Sequence, residues 1–116
     1  MKKIYYLSTC STCSRIMADT GAAEKLTLQD IKTKNITEKE LDQMAAMTGS
    51  YESLFSRRSL KFRAWGLHEK QLTEADYKKL ILEEYTFLKR PVAIINKKIF
   101  VGNDKKNVAA LAEALK

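Results

Sequence analysis

The stretch Tyr5–Thr20, "YYLSTCSTCSRIMADT", contains both cysteines of the 116-residue chain and predicts how its first two elements fold. The run "KKIYYL" is aromatic and β-branched around Ile4, which predicts a buried first strand. From Ser11 onward the apolar side chains recur with helical spacing, and Gly21 is a residue type suited to end that helix. The cysteines therefore fall at the turn from a strand into a helix.

The first of these cysteines, Cys10, is predicted to ionise more readily than an ordinary thiol. The first N–H groups of a helix have no intrahelical partner and carry partial positive charge, so they stabilise a thiolate placed beside them. The hydroxyls of Ser11 and Thr12 are further donors. One helical turn later, Cys13 has two interpretations: a thiol that resolves a bond formed at Cys10, or a small residue that fills the core.

The composition excludes several classes of protein. The length fits one domain, no segment approaches the roughly 20 apolar residues of a membrane helix, and the first apolar run is too short for a secretory signal. We therefore expect a cytoplasmic protein that does not bind membranes. The only histidine, His68, lies far from both cysteines, so no metal site is expected. The net charge of +7 favours an anionic ligand or an acidic protein partner, whereas no motif indicates direct sequence-specific DNA binding.

The rest of the chain predicts a second strand, a helical middle, a hairpin and a last helix. "KLTLQDI" is typical of a half-covered strand with Leu26 and Leu28 on its buried face. Capping patterns at 37–40 and 73–76 mark two helix starts, and Asn96-Lys97 suits a tight turn between two strands. A last helix follows "GND". This order predicts an α/β domain with a mixed sheet.

The single proline, Pro91, stands in "LKRPVAII" and marks the start of the third strand, because proline lacks an N–H and holds Arg90 extended. Together with the cysteine turn, the motifs "SRRS" at 56–59 and "FLKRPVAIINKKIFVG" at 87–102 resemble the arsenate reductase (ArsC)-like family. The resemblance runs over nearly the whole chain. That family also includes the Spx-type transcriptional regulators and small glutathione-linked relatives.

The resemblance implies a thioredoxin-like fold for a single domain over residues 1–116. Its sheet would have four strands in mixed orientation, with a helical insertion, about 37–88, between the second and third strands. In thioredoxin-type domains a cis-proline at the start of the third strand faces the cysteine turn. The resemblance therefore implies that the bond between Arg90 and Pro91 is cis.

The resemblance also implies roles for individual residues. Cys10 falls on the nucleophile that attacks the arsenic of arsenate, and Arg90 falls on an arginine that stabilises the oxyanion. Arg58 matches a second such arginine, and Arg57 is equally suited by its spacing; a guanidinium can bind a tetrahedral oxyanion through two hydrogen bonds. The expected substrate-binding residues are Ser11, Thr12, Arg57 and Pro91.

The predicted function is that of an arsenate reductase-like thiol oxidoreductase. Cys10 attacks a small oxyanion or a disulfide, and Cys13 or glutathione resolves the adduct. No bound cofactor is expected, and the expected reductant is glutathione or a glutaredoxin or thioredoxin system. However, "FVGNDKKN" has no arginine where the family's arsenate reductases have a third. The pairing of Cys10 with Cys13 resembles the disulfide switch of the Spx-type regulators, which implies RNA polymerase as the alternative partner.

Overall fold

A four-stranded sheet forms the framework of the computed structural model, which describes residues 2–116. The strands are β1 (Lys2–Tyr6), β2 (Thr27–Asp30), β3 (Val92–Ile95) and β4 (Lys98–Val101). Their order in the sheet is β2-β1-β3-β4, with β1 parallel to β2 and the other two pairs antiparallel. The mixed sheet and the order of elements along the chain confirm the predicted α/β class.

Six α-helices and three short 3₁₀ helices occur within residues 2–116. The α-helices are α1 (Ser11–Thr20), α2 (Ala22–Lys25), α3 (Glu38–Thr48), α4 (Leu60–Ala64), α5 (Glu74–Glu83) and α6 (Lys105–Ala114). The 3₁₀ helices are Glu52–Leu54, Leu67–Glu69 and Tyr85–Phe87. The sequence did not predict α2 or the last 3₁₀ helix, because runs of three or four residues are too short to show helical periodicity.

The chain divides into two compact units. The first comprises the chain up to Lys34 together with Arg90–Lys116, and the second is Asn35–Lys89. The assignment of residues 1–116 to a single domain with an insertion stays a prediction. None of the helices within residues 2–116 has the length and apolar character needed to cross a membrane.

In the first unit, α1, α2 and α6 share one apolar core with the sheet. Gly21 ends α1 in a left-handed conformation (φ 81°), as predicted, and Asp104 caps α6 by accepting the Asn107 N–H at 2.7 Å. Asn96 takes a positive φ of 56° in the turn between β3 and β4, which fits the predicted hairpin. The core residues are Ile4, Ile16, Met17, Ala22, Leu26, Ala93, Leu111 and Leu115.

The buried face of β2 differs from the prediction. Leu28 is 43% exposed, whereas Gln29 is buried. Leu26 is buried as predicted, but it precedes the strand. The alternation of leucines predicted the wrong buried face, because a polar side chain can point inward when it is hydrogen-bonded. Here the Gln29 amide donates to the Lys34 carbonyl at 2.9 Å.

In the second unit, both predicted helix starts are confirmed. Reciprocal capping boxes are formed at 37–40, where α3 begins, and at 73–76, where α5 begins. An aromatic cluster lies at the centre of this unit: the buried Phe55 ring stacks on Phe87 with centroids 5.1 Å apart and contacts Tyr77 at 4.9 Å. Packing of aromatic rings therefore links its short helices.

Candidate active site

Cys10 stands directly before the first residue of α1, as the sequence predicted. Its backbone is extended (φ −96°, ψ 111°), its N–H donates to the Leu7 carbonyl at 3.0 Å, and its own carbonyl accepts the Ser14 N–H at 3.2 Å. The last of these is the first hydrogen bond of the helix. The half-buried Cys10 side chain thus lies beside the unpaired N–H groups of the first turn.

Two neighbouring residues stabilise the Cys10 thiolate. Partial burial would raise the pKa of Cys10, but the backbone N–H and thiol of Cys13, together with the hydrogen bond and positive charge of Arg90, lower it below its ordinary value. The Cys10 sulfur does not accept a helix-capping hydrogen bond of normal geometry. The Cys13 N–H therefore acts on the sulfur mainly through its partial positive charge. Cys10 is therefore the more reactive thiol.

Cys13 is held in the opposite protonation state. Its side chain is completely buried, and burial raises its pKa to about 11, with a further rise from the negative charge of Cys10. The Leu7 N–H and the charge of Arg90 oppose this effect without overcoming it. At neutral pH Cys13 is a protonated thiol that can donate to Cys10. Both interpretations of Cys13 thus stay open, because it lies within the apolar interior and also contacts the nucleophile.

Arg90 and Pro91 come to this site from the start of β3. The peptide bond between them is cis, and Pro91 is buried, with its carbonyl accepting the Gly102 N–H at 2.9 Å. Arg90 is half-buried, its Nε atom is fully enclosed, and its side chain hydrogen-bonds Cys10. The structure therefore brings Arg90 together with both cysteines.

The two hydroxyl residues of the cysteine turn begin α1. Ser11 is exposed and Thr12 is half-buried. Within residues 2–116 neither hydroxyl is engaged in a hydrogen bond. Their role in binding a substrate stays a prediction.

The other two predicted arginines belong to the second unit. Arg57 donates to Glu52 at 2.8 Å and to the Tyr77 hydroxyl at 2.9 Å. Arg58 is exposed, and its guanidinium has no hydrogen-bond or ion-pair partner in the part of the chain that the structure describes. Of the two, Arg58 is the one whose donors are available to a ligand. A role for either in the Cys10 site stays a prediction.

Sequence reasoning missed two participants in the cysteine turn. The Leu7 N–H acts on Cys13, and no side-chain pattern reports a backbone donor. Asp30, the last residue of β2, accepts the Ser8 N–H at 3.2 Å, and the available signal was an acidic residue at the end of the predicted second strand. Among the described residues, no group of three or more His, Cys, Asp or Glu side chains is arranged to hold a metal ion.

Comparisons with known proteins agree with this architecture. The sequence model of the ArsC family matches residues 5–111. A search of curated proteins gave no match. Similar solved structures include an ArsC family related protein from Bacteroides fragilis (20% identity, covering 95% of this chain and 96% of that one, TM-score 0.80). They also include an arsenate reductase from Vibrio cholerae (15% identity, covering 95% of this chain and 96% of that one, TM-score 0.78). A third is a possible arsenate reductase from Streptococcus mutans UA159 (25% identity, covering 90% of this chain and 92% of that one, TM-score 0.72).

These similarities extend over nearly the full length of the chain and of the compared structures. The two structures below 25% identity share the fold, which confirms the predicted thioredoxin-like class. The family match covers the cysteine turn, β3 and β4 and most of α6. The chain belongs to the ArsC family.

Proposed function

We propose that the chain is a thiol oxidoreductase in which the Cys10 thiolate is the nucleophile and arsenate or a related oxyanion is the substrate. The observation that carries the proposal is the convergence of Arg90 and two groups of Cys13 on Cys10, which lowers the pKa of the more accessible thiol. Membership of the ArsC family and the similarity to an arsenate reductase from Vibrio cholerae support the oxyanion class.

In the first step, the Cys10 sulfur forms a bond to the arsenic of arsenate, and one arsenate oxygen leaves as water after taking up protons. Arsenic stays in its +5 state in this adduct. The positive charge of Arg90 beside the sulfur offsets the negative charge that the oxyanion brings. From the resemblance we propose Arg58 as the second oxyanion-binding arginine, with Ser11 and Thr12 as hydroxyl donors.

In the second step, another thiol attacks the Cys10 sulfur. A disulfide forms, the bond from sulfur to arsenic breaks, and arsenic keeps its electron pair, so that arsenate leaves as arsenite while two thiols are oxidised. Cys13 is adjacent but must first lose its proton, because its pKa is raised to about 11. Glutathione can approach the half-buried Cys10 from solvent. Glutathione, or a glutaredoxin or thioredoxin, then reduces the disulfide.

Steady-state arsenate reduction with glutathione and glutaredoxin tests this proposal. We expect Cys10→Ser to abolish turnover, because serine cannot supply a thiolate. Cys13→Ser separates the two resolving thiols: activity persists if glutathione resolves the adduct and is lost if Cys13 does. A parallel assay with a small disulfide and a thioredoxin system covers the other substrate class. Unchanged activity of Cys10→Ser in both assays would contradict the proposal.

A second function is favoured by one observation, the direct interaction of the Cys13 thiol with Cys10. This contact suits a pair that closes reversibly into a disulfide, as in an Spx-type regulator that binds RNA polymerase. Retention of RNA polymerase on the immobilised chain, measured in oxidising and reducing buffer, tests it. Cys13→Ser is the control, because it cannot form the disulfide. Equal retention in both buffers counts against the regulator.

A further inference from the structure

The four residues Leu7–Cys10 form a tight turn that contains neither glycine nor proline. The Leu7 carbonyl accepts the Cys10 N–H at 3.0 Å, so that Ser8 and Thr9 are the exposed central residues of the turn. The Leu7 N–H acts on the Cys13 sulfur. The turn thus contacts the backbone of Cys10 and the sulfur of Cys13, whereas its central serine and threonine favour a turn only weakly.

Asp30 holds this turn from the neighbouring strand. Its Oδ1 atom accepts the backbone N–H of Ser8 at 3.2 Å and that of Lys32 at 3.1 Å. The Ser8 hydroxyl, followed by the two backbone donors, lowers the pKa of the Asp30 carboxyl. Asp30 pairs with Tyr6 in the sheet, and the Ile31 N–H donates to the Tyr6 carbonyl at 2.9 Å. Strand pairing with β1 therefore fixes the backbone that carries the Asp30 carboxylate.

We propose that Asp30 is a positioning residue for Cys10: its carboxylate fixes Ser8 and thereby holds the Cys10 sulfur where Cys13 and Arg90 stabilise the thiolate. This inference deepens the proposed thiolate chemistry and rests on it. Asp30 acts through Ser8 and does not touch the reacting atoms. Because interactions between charges and dipoles fall steeply with distance, a turn that relaxes by a fraction of an ångström weakens every contact that favours the thiolate.

The sign of the effect separates positioning from simple charge. A negative charge opposes the formation of a thiolate, so that removal of the Asp30 charge alone cannot raise the pKa of Cys10. Loss of the hold on Ser8 raises that pKa. In Asp30→Asn the side-chain carbonyl can still accept the Ser8 N–H while the charge is gone. In Asp30→Ala both the acceptor and the charge are gone, and only this variant is expected to raise the pKa of Cys10.

The test is the pH profile of Cys10 alkylation by iodoacetamide, followed by mass spectrometry of the Cys10 peptide in the full chain. We expect Asp30→Ala to raise the midpoint by about one unit, which makes alkylation roughly tenfold slower at a pH below both midpoints. Asp30→Asn is expected to stay at or slightly below the wild-type midpoint. The matched charge control is Asp19→Ala, which removes an exposed carboxylate from α1. Ser8→Ala, a milder change that removes only the hydroxyl bond, is expected to shift the midpoint upward by less.

Each outcome either supports or contradicts the positioning role of Asp30. A midpoint in Asp30→Ala equal to or below that of Asp19→Ala overturns the positioning role while leaving a low Cys10 pKa, and with it the proposed function, in place. A wild-type midpoint at the ordinary thiol value overturns the proposed thiolate chemistry itself, and the positioning role with it. If Asp30→Ala does not fold by circular dichroism, Ser8→Ala decides: an upward shift supports the inference, and an unchanged midpoint contradicts it.

Discussion

Two effects of opposite sign act on the sulfur of Cys10. Burial disfavours a charged thiolate, whereas the N–H and thiol of Cys13 and the hydrogen bond and charge of Arg90 favour it, and together these outweigh burial. On Cys13 burial dominates, and its thiol stays protonated. One helical turn of separation therefore gives two thiols of the same intrinsic acidity different chemistry. The cause is the environment of each sulfur.

The first prediction concerns Arg90. In Arg90→Gln the Cys10 thiolate loses a positive charge and an ionic hydrogen bond, so the midpoint of its alkylation profile should rise. Arg90→Lys keeps the charge but not the planar fork, and a smaller rise is expected. Arg15→Gln, which removes an exposed charge from α1, is the control. Equal midpoints in Arg90→Gln and Arg15→Gln would show that Arg90 does not stabilise the thiolate.

At the scale of the elements, helix starts determine much of the structure. At α1 the residue before the first turn is Cys10, and the unpaired N–H groups are left to stabilise a thiolate. At α3, α5 and α6 the corresponding residues are Thr37, Thr73 and Asp104, whose oxygens accept the free N–H groups of the first turn. The same feature of the backbone thus serves stability at three helices and reactivity at the first.

The second prediction concerns the start of α3. The Thr37 hydroxyl accepts the Glu40 N–H at 3.2 Å, and the Glu40 carboxylate accepts the Thr37 N–H at 2.9 Å. Thr37→Ala should lower the free energy of unfolding by about 1 kcal/mol, because the Glu40 N–H in the first turn of α3 loses its side-chain acceptor. Thr37→Ser keeps the acceptor and should lose much less. Denaturant unfolding measures both, and equal losses would show that the hydroxyl does not cap α3.

At the scale of the whole molecule, the features that could be predicted from the sequence are those formed by residues close together along the chain. The cysteine turn, the two capping boxes and the hairpin at Asn96 each lie within a few consecutive residues, so residue type and spacing suffice to predict them. The hydrogen bonds of Gln29 and Asp30 were not predicted, because they depend on tertiary structure. Strand pairing brings Asp30 to Ser8, and the backbone after β2 brings the Lys34 carbonyl to Gln29. Spacing likewise does not encode the contacts of Arg57 with Glu52 and Tyr77, which distinguish it from Arg58.

The third prediction is a pH dependence of stability in the reduced chain. The folded-state pKa of Cys10 lies below its unfolded value, so its contribution to the free energy of unfolding is present above the unfolded pKa and is lost as pH falls through the folded pKa. The pKa of Cys13 is raised to about 11, so its contribution is present below the unfolded pKa and is lost as pH rises toward 11. Stability from the pair should therefore be greatest near the ordinary thiol pKa.

Denaturant unfolding across the pH series measures this, with each cysteine variant compared with wild type so that the titration of lysines and carboxylates cancels. Cys10→Ala should remove the rise in stability that occurs as pH increases toward the ordinary thiol pKa. Cys13→Ala should remove the alkaline fall, which amounts to roughly 2–3 kcal/mol for a shift of about two units. A wild-type curve parallel to that of Cys13→Ala between pH 8 and 11 would mean that the buried thiol ionises as readily folded as unfolded. Cys13 would then not be held as a protonated donor beside Cys10.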